Sequence, residues 1–320
     1  MKAVILAAGK STRTYPLTAN KPKPLVKVDG KTILERNLDQ LAGIADEAII
    51  IVGFKKEMIT RKLGKRYKGM KIVYLHQKQQ HGTGHALMLA EPFLDDRFIA
   101  MMGDDLYSRG DIKKCLRHRY AVLAKRVKDP SRFGVYKLKK GYVAGIVEKP
   151  KRYVSNLANC ALYVCDIGIF KELKKIKASK RGEIELTDAI NLFSRSHKVK
   201  CVASKDWKPF GYPWDLFDIS PQRVGKNCSI KGKVINSIVM DNATIEKGSV
   251  VKDSIIGENV RFSGTIKSGP SLVKINGRKI RLRMGAIIGD NVIAENAIIY
   301  PGVRIWPGKR ITGVVKKDVN

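Results

Sequence analysis

The sequence predicts an α/β chain in two parts, a doubly wound half with a mixed sheet followed by a parallel β-solenoid, and three observations carry that prediction. Over residues 1–215 short apolar runs alternate with amphipathic stretches, the pattern of a mainly parallel sheet covered by helices. From Val224 onward the spacing changes to six: Val239, Ile245 and Val251 keep that step, as do Ile287, Ile293, Ile299, Ile305 and Ile311. Six residues per side, with one apolar residue turned inward each time, build a triangular solenoid coil. Third, 44% of the 320 residues are hydrophobic. That fraction excludes a disordered chain, and no apolar run approaches the roughly 18 residues that span a membrane.

Each element has its own signal. Residues 3–6, 48–52, 71–75 and 98–102 are the apolar runs of buried strands. Between them Leu34, Leu38 and Leu41 share a helical face that Gly43 closes, and residues 83–91 read as a second helix. Beyond Tyr120 the chain is strand-rich, with 133–138, 142–147 and 160–164 preceding a helix over 186–193. In the solenoid the step of six is lost between Ser263 and Gly285. There residues 272–282 alternate around Asn276-Gly277, a hairpin leaving one corner. The resulting domains are 1–218 and 219–320.

The chain carries 62 Lys+Arg against 29 Asp+Glu, a net charge of +33. These cations are spread along the whole length, with no basic tail and no nucleic-acid module. The charge therefore reads first as solubility and ion-pair networks, then as attraction for phosphorylated small molecules, and last as nucleic-acid binding. Residues 3–8 are too short for a signal-peptide core and run into Gly9-Lys10-Ser11, so they read as a strand. Five cysteines, an odd number without a C-x-x-C, fit a reducing cytoplasm and argue against structural zinc.

The loop after the first strand holds the chemistry. Small residues at Ala7, Ala8 and Gly9 let the backbone come close to an anion. It is not a Walker A loop, because Val4 stands where the first glycine belongs, and Ser11 occupies the second glycine of a G-x-G-x-x-G fingerprint. Arg13 is followed by Pro16-Leu17-Thr18 and then by Lys21-Pro22-Lys23-Pro24-Leu25. The prolines predict that Lys23 projects from a stiff, extended segment and converges with Arg13 on one polyphosphate.

Residues 6–25, LAAGKSTRTYPLTANKPKPL, resemble the signature loop of the sugar-1-phosphate nucleotidylyltransferases, G-x-G-T-R-x-x-P-x-T followed by P-K-P, with Ser11 where glycine is usual. The resemblance spans essentially the whole chain, since that family commonly joins a Rossmann-like nucleotidyltransferase domain to a left-handed parallel β-helix of hexapeptide repeats. It implies the reaction of an NTP with a sugar 1-phosphate to give an NDP-sugar and pyrophosphate. In QKQQHGTGHA it implies that Gln77, Gly82 and Thr83 read a pyrimidine, with Ala7, Ala8 and Gly9 completing the nucleotide site. Asp104, at the carboxyl edge of the sheet where ligands bind in such folds, becomes the expected Mg²⁺ ligand. Asp215, preferred to Asp218, is the second, while the adjacent Asp105 is left out because neighbouring strand residues point oppositely. Gly134, Glu148, Lys149 and Asn159 resemble the sugar-phosphate pocket.

Residues 182–183 and 186–188 echo another family stretch and serve equally well as a helix start. His76, His81, His85 and His118 read as surface or pocket-wall residues and not as a metal cluster. Arg13 is expected to stabilise the departing pyrophosphate and Lys23 to bridge phosphate oxygens; the phosphate nucleophile is already ionised, so no general base is required. UTP or dTTP with glucose 1-phosphate or N-acetylglucosamine 1-phosphate is the leading substrate pair. Guanylyl transfer to mannose 1-phosphate and a non-catalytic regulatory subunit are the alternatives. Bifunctional relatives use a solenoid histidine for acetyl-CoA-dependent acetylation, but the last histidine here is His197, so no second active site is expected. The expected protein is cytoplasmic, binds neither membrane nor nucleic acid, and forms a homo-oligomer; the solenoid serves either a trimer, with Tyr300 and Trp306 at the contact, or equally as a sheltered coil that covers the catalytic domain.

Overall fold

The computed structural model describes residues 1–179, 182–275 and 278–320. Its contacts fall into two compact units, Met1–Gly9 with Leu34–Pro209, and Lys10–Ile33 with Phe210–Asn320. No helix among the described residues is long and apolar enough to cross a membrane.

The first unit is built on a mixed sheet whose ten strands are β1 (Lys2–Ala7), β2 (Glu47–Val52), β3 (Arg66–Tyr67), β4 (Met70–His76), β5 (Phe98–Met102), β6 (Ala121–Arg126), β7 (Gly134–Lys139), β8 (Tyr142–Glu148), β9 (Leu157–Cys165) and β10 (Lys200–Ala203). The spatial order is β3-β4-β2-β1-β5-β9-β6-β10-β8-β7. Strands β4, β2, β1 and β5 run parallel, and the interiors of β2, β1 and β5 are unbroken apolar runs because both faces are covered. At β9 the direction reverses, since β9 is antiparallel to both β5 and β6. The helices Thr83–Met88, Gly168–Leu173 and Leu186–Ser196 pack on one another, with Ala86, Leu87, Phe170, Leu173, Ala189 and Phe193 buried in the core beneath them.

Strand β9 is interrupted. Its pairing with β6 slips between Asn159 and Tyr163, and Ala161 lies at φ +51°. A bulge of this kind re-aims a side chain and leaves a non-glycine residue in a conformation it rarely adopts. Here the side chain is Asn159, one of the predicted sugar-pocket residues.

In the second unit the solenoid consists of three parallel stacks. One stack pairs Ile238–Val239, Ile255–Ile256, Ile287–Ile288 and Arg304–Ile305 in turn. The other two run through the register positions Ser229, Thr244, Arg261, Ile293 and Arg310, and through Lys233, Val250, Thr265, Ile298 and Val314. Val239, Ile245, Val251, Ile256, Phe262, Ile288, Ala294, Ile299 and Ile305 fill the interior, with Ile311 packed against them. The phase of the repeat therefore differs from expectation at two positions: Ile288 and Ala294 face inward where Ile287 and Ile293 were expected. The cause is Asn296, at φ +48°, where the pairing slips between Glu295 and Ala297 and one side of the coil changes length. Gly269–Ile275 and Arg278–Met284 pair antiparallel as the predicted excursion, whose Asn276-Gly277 turn lies outside the described residues.

Two side-chain columns run up the coils. Asn227, Asn242, Asn259 and Asn291 all hold the left-handed backbone that asparagine tolerates at a turn, and each of the first three donates its amide to the next at 3.0–3.3 Å. Beside them Asp241, Glu258 and Asp290 occupy equivalent positions on successive coils, given the pairing of Val239, Ile256 and Ile288. Parallel coils lie about 5 Å apart, so like charges stacked this way repel unless cations separate them. Lys21 lies 2.7 Å from Glu258 and 2.8 Å from Asp290, and Lys27 lies 2.8 Å from Asp241 and 3.0 Å from Glu258. The Asn20 side-chain amide donates a hydrogen bond to Asp290 at 3.2 Å. The 10–33 segment is thus clamped to the solenoid by a closed charge network.

Candidate functional site

The residues expected to read the base gather in the first unit. Where β1 ends, Leu6, Ala8 and Gly9 meet Gln77, Gln80, Gly82, Thr83, Ala86, Met102 and Glu183 around a cavity of about 180 Å³. Ala7 is the exception among the predicted nucleotide residues, since it pairs with Val52 and is buried in the sheet, outside the cavity wall. Gly82 explains the narrow neck of the string that follows Gln77: it sits at φ +97°, ψ 176°, and a methyl group there would lie 2.5 Å from the Ile184 carbonyl. Gly82→Ala is expected to cost roughly 1–3 kcal/mol. A urea unfolding series together with a UTP titration tests this, and an unchanged midpoint with unchanged affinity contradicts it. Thr83 starts the next helix and accepts the Leu186 amide at 3.1 Å, tying the cavity wall to residues 182–188.

Sequence reading assigned no site role to two members of this wall, Gln80 and Glu183, or to His85 behind it. Gln80 donates to the Ala8 carbonyl at 2.8 Å and fixes the strand end. Glu183 lines the cavity although residues 182–183 also fitted a plain helix start, and His85 lies beneath Gln77, its Nδ1 2.9 Å from the amide nitrogen. The repeated glutamines of QKQQ and the histidine of GTGHA were the visible signals.

The predicted sugar pocket lies on β7, β8 and the bulge of β9. An added methyl at Gly134 would lie 2.8 Å from Glu148 Oε2, so the glycine is what lets that carboxylate lie across the strand. Lys149 adopts φ +41°, donates its amide to the Phe133 carbonyl and holds its Nζ 3.5 Å from Glu148. The Asn159 carbonyl oxygen accepts from the Tyr136 hydroxyl and the Ala161 amide, and its nitrogen donates to the Tyr163 hydroxyl. One amide hydrogen of Asn159 remains for a ligand. Burial pushes the Tyr136 and Tyr163 phenols well above their ordinary range, so both stay protonated donors.

At the end of β5, Asp104 is half-buried. Asp105 is occupied structurally, accepting from the Trp207 indole at 3.1 Å through its carboxylate and from Asn37 through its carbonyl.

The remaining candidates belong to the second unit. Ser11, at φ +53°, ψ +48°, adopts the left-handed conformation that glycine takes without strain. Its carbonyl accepts the Thr14 amide, the Thr14 hydroxyl at 2.8 Å and the Thr18 hydroxyl at 2.9 Å, which hold it there. The serine thus holds a conformation that glycine would adopt without strain. Ser11→Gly is expected to leave turnover and melting temperature nearly unchanged, whereas the β-branched Ser11→Val should lose about 1–2 kcal/mol; equal melting of both variants would contradict this.

Arg13 and Lys23 come to the same short stretch of chain. The exposed Arg13 guanidinium lies 5.8 Å from the Tyr212 ring centroid, and Lys23 Nζ lies 5.3 Å from that of Phe210. Lys23 differs from expectation: Lys23–Leu25 form a 3-10 turn, and the lysine is only 5% exposed. Pro22, extended before the turn, and Pro24, whose fixed φ suits its first residues, start the turn where an extended segment was expected. On the same stretch Asp215 is buried and accepts the Gly211 and Tyr212 amides at 2.7 and 2.8 Å, while Asp218 is exposed. The Asp215 carboxylate caps its own turn through one oxygen.

The chain is similar to known proteins. A family model described as nucleotidyl transferase matches residues 2–224. The bifunctional protein GlmU of Methanocaldococcus jannaschii is 34% identical over 95% of this chain and 92% of its own length. The UTP–glucose-1-phosphate uridylyltransferase AglF of Haloferax volcanii is 38% identical over 70% of this chain and 96% of its own. Among solved structures, a glucose-1-phosphate thymidylyltransferase from Bacillus anthracis superposes with a TM-score of 0.62 at 30% identity, covering 68% of this chain and 93% of that one. The chain therefore belongs to the nucleotidyl transferase family, among its sugar-1-phosphate nucleotidylyltransferases.

Proposed function

We propose that the protein joins UTP or dTTP to glucose 1-phosphate or N-acetylglucosamine 1-phosphate, releasing pyrophosphate. The carrying observation is the cavity at the end of β1, where backbone from Ala8 and Gly9 meets Gln77, Gly82 and Thr83. A flat base against small residues, read by one buried amide, is what such a wall accommodates. Glu148 and Asn159 would bind sugar hydroxyls, with Lys149 on the phosphate. Arg13 and Lys23 would stabilise charge on the polyphosphate as pyrophosphate departs, Lys23 from a buried position that keeps its ammonium poorly hydrated and strongly attractive. A sugar phosphate is already a competent anion at neutral pH, so positioning and charge stabilisation carry the reaction.

The proposal includes Mg²⁺. Asp104 and Asp215 would supply the hard carboxylate oxygens that this ion prefers. When bound, the ion would neutralise phosphate charge. We also propose the left hand for the β-helix, domain limits at 1–218 and 219–320, a cytoplasmic location, and a homo-oligomer, a trimer if the solenoids associate. Trp306 is an unsuitable contact for that trimer, because its ring stands edge-on to Tyr15 in the same unit at 6.3 Å. Tyr300, between Lys267 and Lys316, is likewise covered. The exposed neighbours Ile298 and Val314 are better candidates.

Pyrophosphate release measured over a grid of nucleoside triphosphates and sugar 1-phosphates tests the reading. One strong cell containing UTP or dTTP is expected. Silence across the grid from folded protein contradicts it, and a strong GTP–mannose 1-phosphate cell reassigns the substrates.

A further inference from the structure

Gln77 is only 4% exposed, and its amide is held from one side. Its Nε2 donates to the Gly82 carbonyl at 3.1 Å and lies 2.9 Å from His85 Nδ1. A backbone carbonyl can only accept, so the Gly82 contact fixes which end of the amide is nitrogen. His85 Nδ1 must then accept as well, which makes the ring neutral with its proton on Nε2. Both amide hydrogens are thereby used, and Oε1, which has no partner among the described residues, is left as an acceptor at the cavity that Gln77 lines.

We infer that His85 is a positioning residue that fixes the hydrogen-bonding sense of Gln77 and so sets the cavity to prefer a base presenting a ring N–H, uracil or thymine, over one presenting a ring-nitrogen lone pair, cytosine. The inference rests on the reading of this cavity as the base site. If His85 gains a proton, Nδ1 becomes a donor facing a donor. The amide then keeps only one contact or turns over, and the cavity shows N–H where it showed oxygen. A ring N–H would then be repelled and a lone pair accepted.

The surroundings keep His85 on the neutral side. Burial, and then the neighbouring His81, whose ring lies edge-on at 5.3 Å, hold it below its ordinary range. Other titratable groups on the elements packed around its helix are Glu183 in the cavity wall, Lys171 and Glu172 on Gly168–Leu173, and Asp188 and Arg195 on Leu186–Ser196. None of these is among the causes of the shift, which leaves His81 as its electrostatic neighbour.

Equilibrium dialysis of UTP and CTP, without metal, from about pH 8 to about pH 5.5 tests this, because the triphosphate titrates alike in both and the ratio of dissociation constants isolates the base. In the wild type the preference for UTP should fall up to about tenfold on acidification, the value of one or so hydrogen bonds. His85→Asn places a non-titrating amide oxygen near the position of Nδ1 and should keep the preference level across the range. His85→Phe should lose it at every pH while still binding both nucleotides. A wild-type ratio that does not move with pH, or an Asn variant that keeps the wild-type slope, overturns the inference. If neither nucleotide binds folded wild-type protein, the base-site reading itself has failed and the inference falls with it. Pyrophosphate release then shows whether the overall reaction stands.

Discussion

Lys21→Met is expected to destabilise the second unit by roughly 3–5 kcal/mol, the scale for removing one partner of a buried ion pair. Lys21 is 6% exposed and stands between Glu258 and Asp290, so its loss leaves two carboxylates on neighbouring coils with no cation between them. Lys27 remains on Glu258 and Asp241, which does nothing for Asp290. Urea unfolding measures the deficit. Adding Glu258→Gln and Asp290→Asn to the Lys21→Met chain should recover most of it, since the damage is uncompensated charge more than lost contact. The pH dependence has a definite sign. Lysines and backbone amides hold the Asp241 carboxyl, and Lys21 and Lys27 that of Glu258, below the usual carboxylate range against the opposing effect of burial. Their contribution is therefore present at neutral pH and lost as pH falls through those lowered values. In Lys21→Met acidification instead relieves repulsion, so the gap between variant and wild type should narrow towards about pH 4. A constant gap would mean that the network does not act through charge.

Lys23→Ala and Arg13→Ala should each lower turnover by roughly 10²–10³, as removal of a preorganised charge at a transferring phosphate does. The two need not behave alike. Lys23 is buried against Phe210, so Lys23→Arg should restore charge but not shape and recover little; Arg13 is exposed beside Tyr212, and Arg13→Lys should recover more. Steady-state pyrophosphate release with melting curves as control decides between them. Near-normal turnover in a folded Lys23→Ala protein would remove that lysine from the reaction.

Much of the fold was legible in the residues because the relevant forces are local or periodic. The central parallel strands announce themselves as unbroken apolar runs, since a strand covered on both faces has no polar side to show. The solenoid was legible from its step of six, but Ile287 and Ile293 show the limit of counting: the side from Ala294 to Ile299 is one residue short of six, which shifts the phase, and an isoleucine one place off looks the same in sequence. Around the site, Gln77, Gly82 and Thr83, which the family resemblance grouped, line one cavity. Lys23 did not project, because the first turn of a 3-10 helix accepts proline as readily as an extended segment does. Lys21 was invisible as a structural residue, because its partners lie on coils far along the chain and no local pattern points to them.

That distance governs the order in which the protein can be completed. Lys21 is synthesised 237 residues before Glu258, and Asn20 is synthesised 270 before Asp290. A nascent chain that has already formed β1 and its parallel neighbours must carry residues 10–33 unclamped until the last coils emerge, because the carboxylates that fix them do not yet exist. Closing contacts across such separations is slow and comes after local structure. The segment bearing Arg13 and Lys23 is thus made early and set in place late, so the charge proposed to act on phosphate is assembled only once the coils that clamp it exist.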